Sequence, residues 1–145
     1  MRPLTSLSSA AFAAILLAAC QAGDGGTASG PIDAYSGIKA EDTVKFTGTE
    51  PFWGGEVAGG QLLYSTPENM DGDRIAVERF AGNSGVSYTG SLSGKRFDMM
   101  VTEGDCSDGM SDRTYPFTVT LMIGEEQRRG CAWTEARPFT GPANP

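Results

Sequence analysis

The chain contains no histidine and only three cysteines among its 145 residues. Without an imidazole, Ser-His and Cys-His nucleophile systems and histidine-ligated metal centres are excluded. A nucleophile elbow of the Gly-x-Ser-x-Gly type is missing too, because Gly109-Met110-Ser111-Asp112-Arg113 lacks the final glycine. The glycines punctuate turns and form no phosphate-cradling loop. Basic residues are scarce: 11 Lys and Arg stand against 18 Asp and Glu, for a formal charge of −7. Lys95-Arg96 and Arg128-Arg129 are isolated pairs, which argues against nucleic acid. They read as strand-flanking charges that discourage edge pairing. A carboxylate pair for glycoside hydrolysis is compatible with the composition, but acids concentrated in turns of so small a fold disfavour it. The expectation is a protein that is not an enzyme, with no catalytic residue, cofactor or metal.

What is present at the N-terminus is a secretory signal. Arg2 supplies a positive start, an apolar run covers 10–19, and small residues precede Cys20 in Leu17-Ala18-Ala19-Cys20. As a helix, about ten apolar residues rise only about 15 Å, half of a hydrocarbon core about 30 Å thick. The run therefore does not predict a permanent membrane span. The tetrapeptide resembles the lipobox of bacterial lipoproteins. That resemblance implies removal of residues 1–19 and acylation of Cys20, the new N-terminus, so that the lipid bilayer becomes a partner. Several acyl chains, at about 0.8 kcal/mol per buried methylene, hold a protein on a membrane stably. Gln21, in place of an aspartate, implies by the same resemblance the outer membrane, facing the periplasm. The alternative is an ordinary signal peptide cut near Ala18 or Ala19, leaving Cys20 as a free thiol. Loss of Arg2 moves the formal charge from −7 to −8.

The mature chain divides by composition. Residues 20–40 are expected to be anchor and tether: 21–30 is Gly, Ala, Ser and Thr with little else, a flexible composition, and 31–40 reads as tether or an edge segment. A β domain is expected over 41–139 and a tail over 140–145. Three prolines within 138–145 cannot continue a sheet ladder, so this end is expected to trail off.

Strand signals fill the domain. Phe117, Val119, Leu121 and Ile123 alternate with Thr118, Thr120 and Met122, the period of a half-buried strand. Phe97, Met99 and Val101 do the same, as do Val86, Tyr88 and Leu92, Ile75 and Val77, Leu62 and Tyr64, and Val44 and Phe46. Turn residues separate them at Gly59-Gly60, Asp71-Gly72, 82–85, Ser93-Gly94 and 124–126. Spacings of about 10–12 residues mark an antiparallel meander. The prediction is an all-β fold of about eight strands, closing as a small barrel or stacking as a sandwich.

With Cys20 lipidated, Cys106 and Cys131 remain as an even pair in an oxidising compartment, where a disulfide is the default. It would tie an irregular segment around 103–114 to the last strand. A metal site with two thiols and no imidazole is a poor alternative, and the spacing excludes a CxxC redox pair.

Two segments are unusually particular. In GTEPFW at 48–53, Pro51 biases Glu50 toward an extended backbone. Phe52 and Trp53 then point to opposite faces of a strand, and the outward one could stack on a ligand. The plainer reading is a core aromatic with a lid over one barrel end. In EGDCSDGMSDRTYPF at 103–117, four carboxylates within ten residues could gather calcium, but the Asp-x-Asp-x-Asp-Gly order of an EF-hand is absent. These same segments, together with YSTPEN at 64–69 and GCA at 130–132, resemble an uncharacterised family of proteobacterial envelope lipoproteins sharing EPFW and SDGMSDR-Tyr-Pro-Phe signatures. The resemblance spans nearly the whole mature domain and implies an envelope location; it implies no activity.

Two functions follow as expectations. One is a binding module for a cationic protein such as a lysozyme, for a peptide or for a glycan, with Glu50, Phe52, Trp53, Arg113 and Tyr115 as candidate binding residues. The charge motivates it, although lysozyme-inhibitor motifs are absent and solubility alone explains a negative surface. The other is a structural or stress-related envelope protein, in which Glu50 pairs with Arg113 while Trp53 and Tyr115 pack around them.

Overall fold

The computed structural model describes residues 33–143; the secretory signal, Cys20 and the Gly-rich tether lie outside the described residues. Nine strands are present: β1 (Val44–Thr49), β2 (Phe52–Ala58), β3 (Gln61–Thr66), β4 (Asn69–Ala76), β5 (Glu78–Ala81), β6 (Gly85–Leu92), β7 (Lys95–Cys106), β8 (Tyr115–Ile123) and β9 (Glu126–Thr134). They form one antiparallel sheet in the order β4-β3-β2-β1-β9-β8-β7-β6-β5. Pairing of β1 with β9 joins the two halves of the meander.

Only Val77 separates β4 from β5. Its N–H donates to the Gly60 carbonyl at 2.9 Å, while the Ala76 carbonyl lies against Gly90 of β6, where a Cβ would stand 2.6 Å away. One continuous run therefore pairs with β3 in its first part and with β6 in its second, nearly closing the sheet. The open choice between barrel and sandwich resolves as a barrel-like sheet.

Alternation explains the interior. Val44 and Phe46, Leu62 and Tyr64, Val86 and Tyr88, Phe97, Met99 and Val101, and Phe117, Val119 and Leu121 are all buried in one cluster. Each large apolar side chain so buried is worth about 1.5–3 kcal/mol. In β2 and β9 the period was not legible, because glycines occupy interior positions. A Cβ on Gly55 of β2 would come 1.8 Å from the Leu63 carbonyl, one on Gly130 of β9 2.2 Å from the Thr47 carbonyl, and one on Gly48 of the neighbouring β1 2.2 Å from Trp53 Nε1. The volume that strand side chains would fill is taken by the Trp53 ring, part of a run of rings from Phe46 through Trp53 and Tyr64 to Phe97 at centroid spacings of 5.8, 6.2 and 5.9 Å.

Several expectations need correction. Asp71-Gly72 is no turn: it lies within β4, beside a register shift, and the β3–β4 turn is Pro67-Glu68. The irregular segment begins after Cys106, since β7 continues through 103–106 with its own register shift. The C-terminal segment does not trail off. Thr114 and Thr140 exchange two backbone hydrogen bonds of 3.0 and 2.9 Å. Phe139 joins Tyr115 and Trp133 in a second aromatic cluster with centroids 5.3–5.7 Å apart. Prolines bar a long ladder, but a single bridge and a half-buried ring suffice to dock the chain.

The two ends of the barrel differ. Turns at 50–51, 67–68, 93–94 and 124–125 form an upper rim; those at 59–60 and 82–84 lie at the lower end. There Ile38, within the stretch read as tether or edge, is fully buried in the main core. Arg79 Nη2 donates to its carbonyl at 2.6 Å, and the Tyr35 hydroxyl donates to Glu103 at 2.9 Å.

Candidate functional site

The segment 107–114 leaves the lower end and folds back along the outer wall toward the upper rim. The Cys106–Cys131 disulfide pins its start, with a Cα–Cα distance of 5.6 Å. Two residues further on, the Thr49 hydroxyl donates to the Asp108 carbonyl at 3.0 Å. The two segments singled out in the sequence, 59 residues apart at this contact, thus meet at one place.

Asp108 organises the loop. One carboxylate oxygen accepts the N–H groups of Met110 and Ser111 at 3.0 and 2.8 Å. The other accepts the Ser111 and Tyr115 hydroxyls at 2.7 and 3.1 Å. Burial alone would push this carboxyl up, but the bonds from Ser111, Met110 and Tyr115 outweigh it and hold the pKa down to about 2, from the usual 3.8. A depressed carboxylate pKa stabilises the fold above the unfolded value and loses that contribution as pH falls toward the folded one. Stability should therefore fall between about pH 4 and pH 2 in part through this group. In urea titrations Asp108→Asn should lower the midpoint at neutral pH and flatten its decline over that acid window; an unchanged pH profile would refute the assignment. With both Asp108 oxygens occupied by protein donors, the acidic segment serves as a turn. Among the described residues, no three acidic or cysteine side chains are placed to hold a metal.

The upper rim opens beside this loop. A depression of about 640 Å³ is lined by Thr49, Glu50, Pro51, Phe52, Thr66, Pro67, Glu68 and Arg128. A second, of about 600 Å³, shares Thr49, Glu50 and Arg128 with it and continues to Asp108, Gly109 and Met110. The Glu50–Pro51 bond between β1 and β2 is cis. Phe52 is 52% exposed and Met110 69%, so the concavity carries an apolar group on either side.

Its floor is Arg128. This residue pairs with Leu121 across β8 and so points inward, contrary to its reading as a strand-flanking charge. Its guanidinium donates to the Tyr64 hydroxyl and, at 2.8 Å, to Glu126 Oε1. Burial raises the Tyr64 phenol above its usual pKa against the lowering effect of Arg128. The phenol therefore stays neutral and oriented. Arg128 is charge-neutralised by Glu126, whereas Glu50 and Glu68 have no ion-pair or hydrogen-bond partner among the described residues.

The five candidate binding residues separate into two groups. Glu50 and Phe52 stand exposed on the depression. Trp53 and Tyr115 are buried, at 3% and 2% exposure. Arg113 does not pair with Glu50: its Nε donates to the Pro142 carbonyl at 2.8 Å, its Nη2 to Ala143, and its guanidinium lies 4.4 Å over the Phe139 ring. Missed were Glu68, Arg128 and Met110. Pro67-Glu68, between two alternating runs, carried a turn signal. Arg128 carried none, because its strand places Gly130, Ala132 and Thr134 on the same inward face.

Comparison with protein-family models, with curated proteins and with solved structures finds no match to this chain.

Proposed function

We propose that the protein is an envelope lipoprotein, anchored through Cys20 to the outer membrane on its periplasmic side, whose barrel domain is a binding module. The observation that carries the binding part is the upper-rim depression, where segments distant in the chain assemble around exposed Phe52, Met110, Glu50 and Glu68. Pockets of this kind combine apolar walls with a few placed polar groups. Recognition is favoured over catalysis because the rim offers carboxylates and a neutralised arginine but no paired base and nucleophile. The negative formal charge supports a cationic partner, such as a basic protein or peptide, ahead of a glycan. The anchor rests on the lipobox resemblance of residues 17–20, and the acyl chains require no further membrane-spanning element.

A structural envelope role is the second reading. It is favoured by the burial of Trp53 and Tyr115 and by Arg113 being spent on the C-terminal segment. One cross-linking experiment in a Gram-negative host separates the two. The Cys20→Ala variant should move from the membrane to the soluble fraction. Phe52→Ala should stay on the membrane and lose the cross-linked partners of the wild type. Partners unchanged by Phe52→Ala would favour the structural reading, and a membrane-bound Cys20→Ala protein would remove the anchor.

A further inference from the structure

Resting on the reading of the upper rim as a binding surface, we infer that the hollow between Glu50, Phe52 and Glu68 receives one cationic side chain, Lys or Arg, from an extended polypeptide. An aromatic face attracts a cation placed within about 6 Å, and the attraction is stronger where water is partly excluded. Phe52 is 52% exposed and lines the hollow together with Pro51, Pro67 and Thr66, so its ring is reachable from within it. Both flanking carboxylates are free to pair with the incoming charge, because neither has a partner among the described residues. The adjacent positive charge does not repel it: Glu126 neutralises Arg128 at 2.8 Å. The hollow therefore offers two unmatched negative charges and an aromatic ring to a cationic side chain.

The shape beyond the hollow specifies a polypeptide over a free amine. The second depression shares Glu50 with the first and ends at Met110, 69% exposed and conformationally adaptable. A chain laid across Glu50 would place its cationic residue over Phe52 and an apolar neighbour against Met110. Charge supplies the orientation and apolar contact the residence.

The test uses isotope-labelled full-length protein in detergent. It is titrated with a synthetic pentapeptide bearing a central lysine beside leucine, and with the same peptide acetylated on the lysine Nε. Amide shifts should cluster at Phe52, Thr66 and Glu68, and acetylation should weaken binding by about tenfold or more, as should Phe52→Ala and Glu68→Gln. Both replaced side chains are exposed, and a dispersed amide spectrum verifies that each variant is folded. Rim shifts that survive acetylation would overturn the cation hollow and leave the rim as a binding surface. No rim shifts with the lysine peptide would also overturn it; the partner loss expected of Phe52→Ala in cross-linking then decides the broader reading separately.

Discussion

Replacing Trp53 by alanine should destabilise the domain by about 3–5 kcal/mol, read as a large drop in the urea midpoint. The side chain is 3% exposed and bridges Phe46 to Tyr64, so its removal leaves a void among rings that cannot easily move together. The void would be unusually stubborn, because the facing positions Gly48 and Gly130 have no side chains with which to fill it. A domain of this size is stable by about 5–15 kcal/mol, so the loss is a substantial fraction of the total. Two comparisons isolate the cause. Trp53→Phe should cost clearly less, since the indole N–H has no partner among the described residues and its removal breaks no hydrogen bond. Phe52→Ala, one position away, should change stability by no more than about 0.5 kcal/mol. Equal effects at 52 and 53 would contradict the assignment of the two rings to opposite faces.

Reduction of the disulfide should have the next largest effect. Cys106 and Cys131 are 25 residues apart, and a closed loop of that size is worth about 3.5 kcal/mol on the chain-entropy account. Calorimetry with and without reductant, and on the Cys106→Ser, Cys131→Ser double variant, should show a melting temperature lower by about 14–28 °C, at about 4–8 °C per kcal/mol for a domain near this size. Structure need not vanish, because the segment has other moorings. The Thr49–Asp108 bond, the four bonds to the Asp108 carboxylate and the docked Phe139 all lie beyond the bridge. A melting temperature unmoved by reductant would mean that these contacts, and not the cross-link, hold the loop.

The fold was legible where the interior is built by alternation. β3, β6, β7 and β8 each put apolar residues on one parity, and nothing in their neighbourhoods interferes. It was illegible in β9, whose inward positions are Arg128, Gly130, Ala132 and Thr134: an arginine breaks the apolar pattern, and the glycine is meaningful only once Trp53 is known to lie against it. The pairing of Cys106 with Cys131 could be anticipated from counting thiols. The docking of 138–143 could not, because it depends on Phe139 finding Tyr115 and Trp133. For the site, the two unusual segments were visible, and so was the split between Phe52 and Trp53, though not its direction. Glu68 and Arg128 escaped because a site residue in a turn, or one inside a barrel, announces itself only through its neighbours.

Ile38 also fixes a polarity. The chain enters the domain at the lower end, where Arg79 grips the Ile38 carbonyl, while the depression opens at the opposite rim. Residues 33–43 thus reach the sheet from its base, opposite the rim that carries Phe52. A pull applied at residue 33 would be taken first by Tyr35, Ile38 and Arg79, at the far end of the barrel from Phe52.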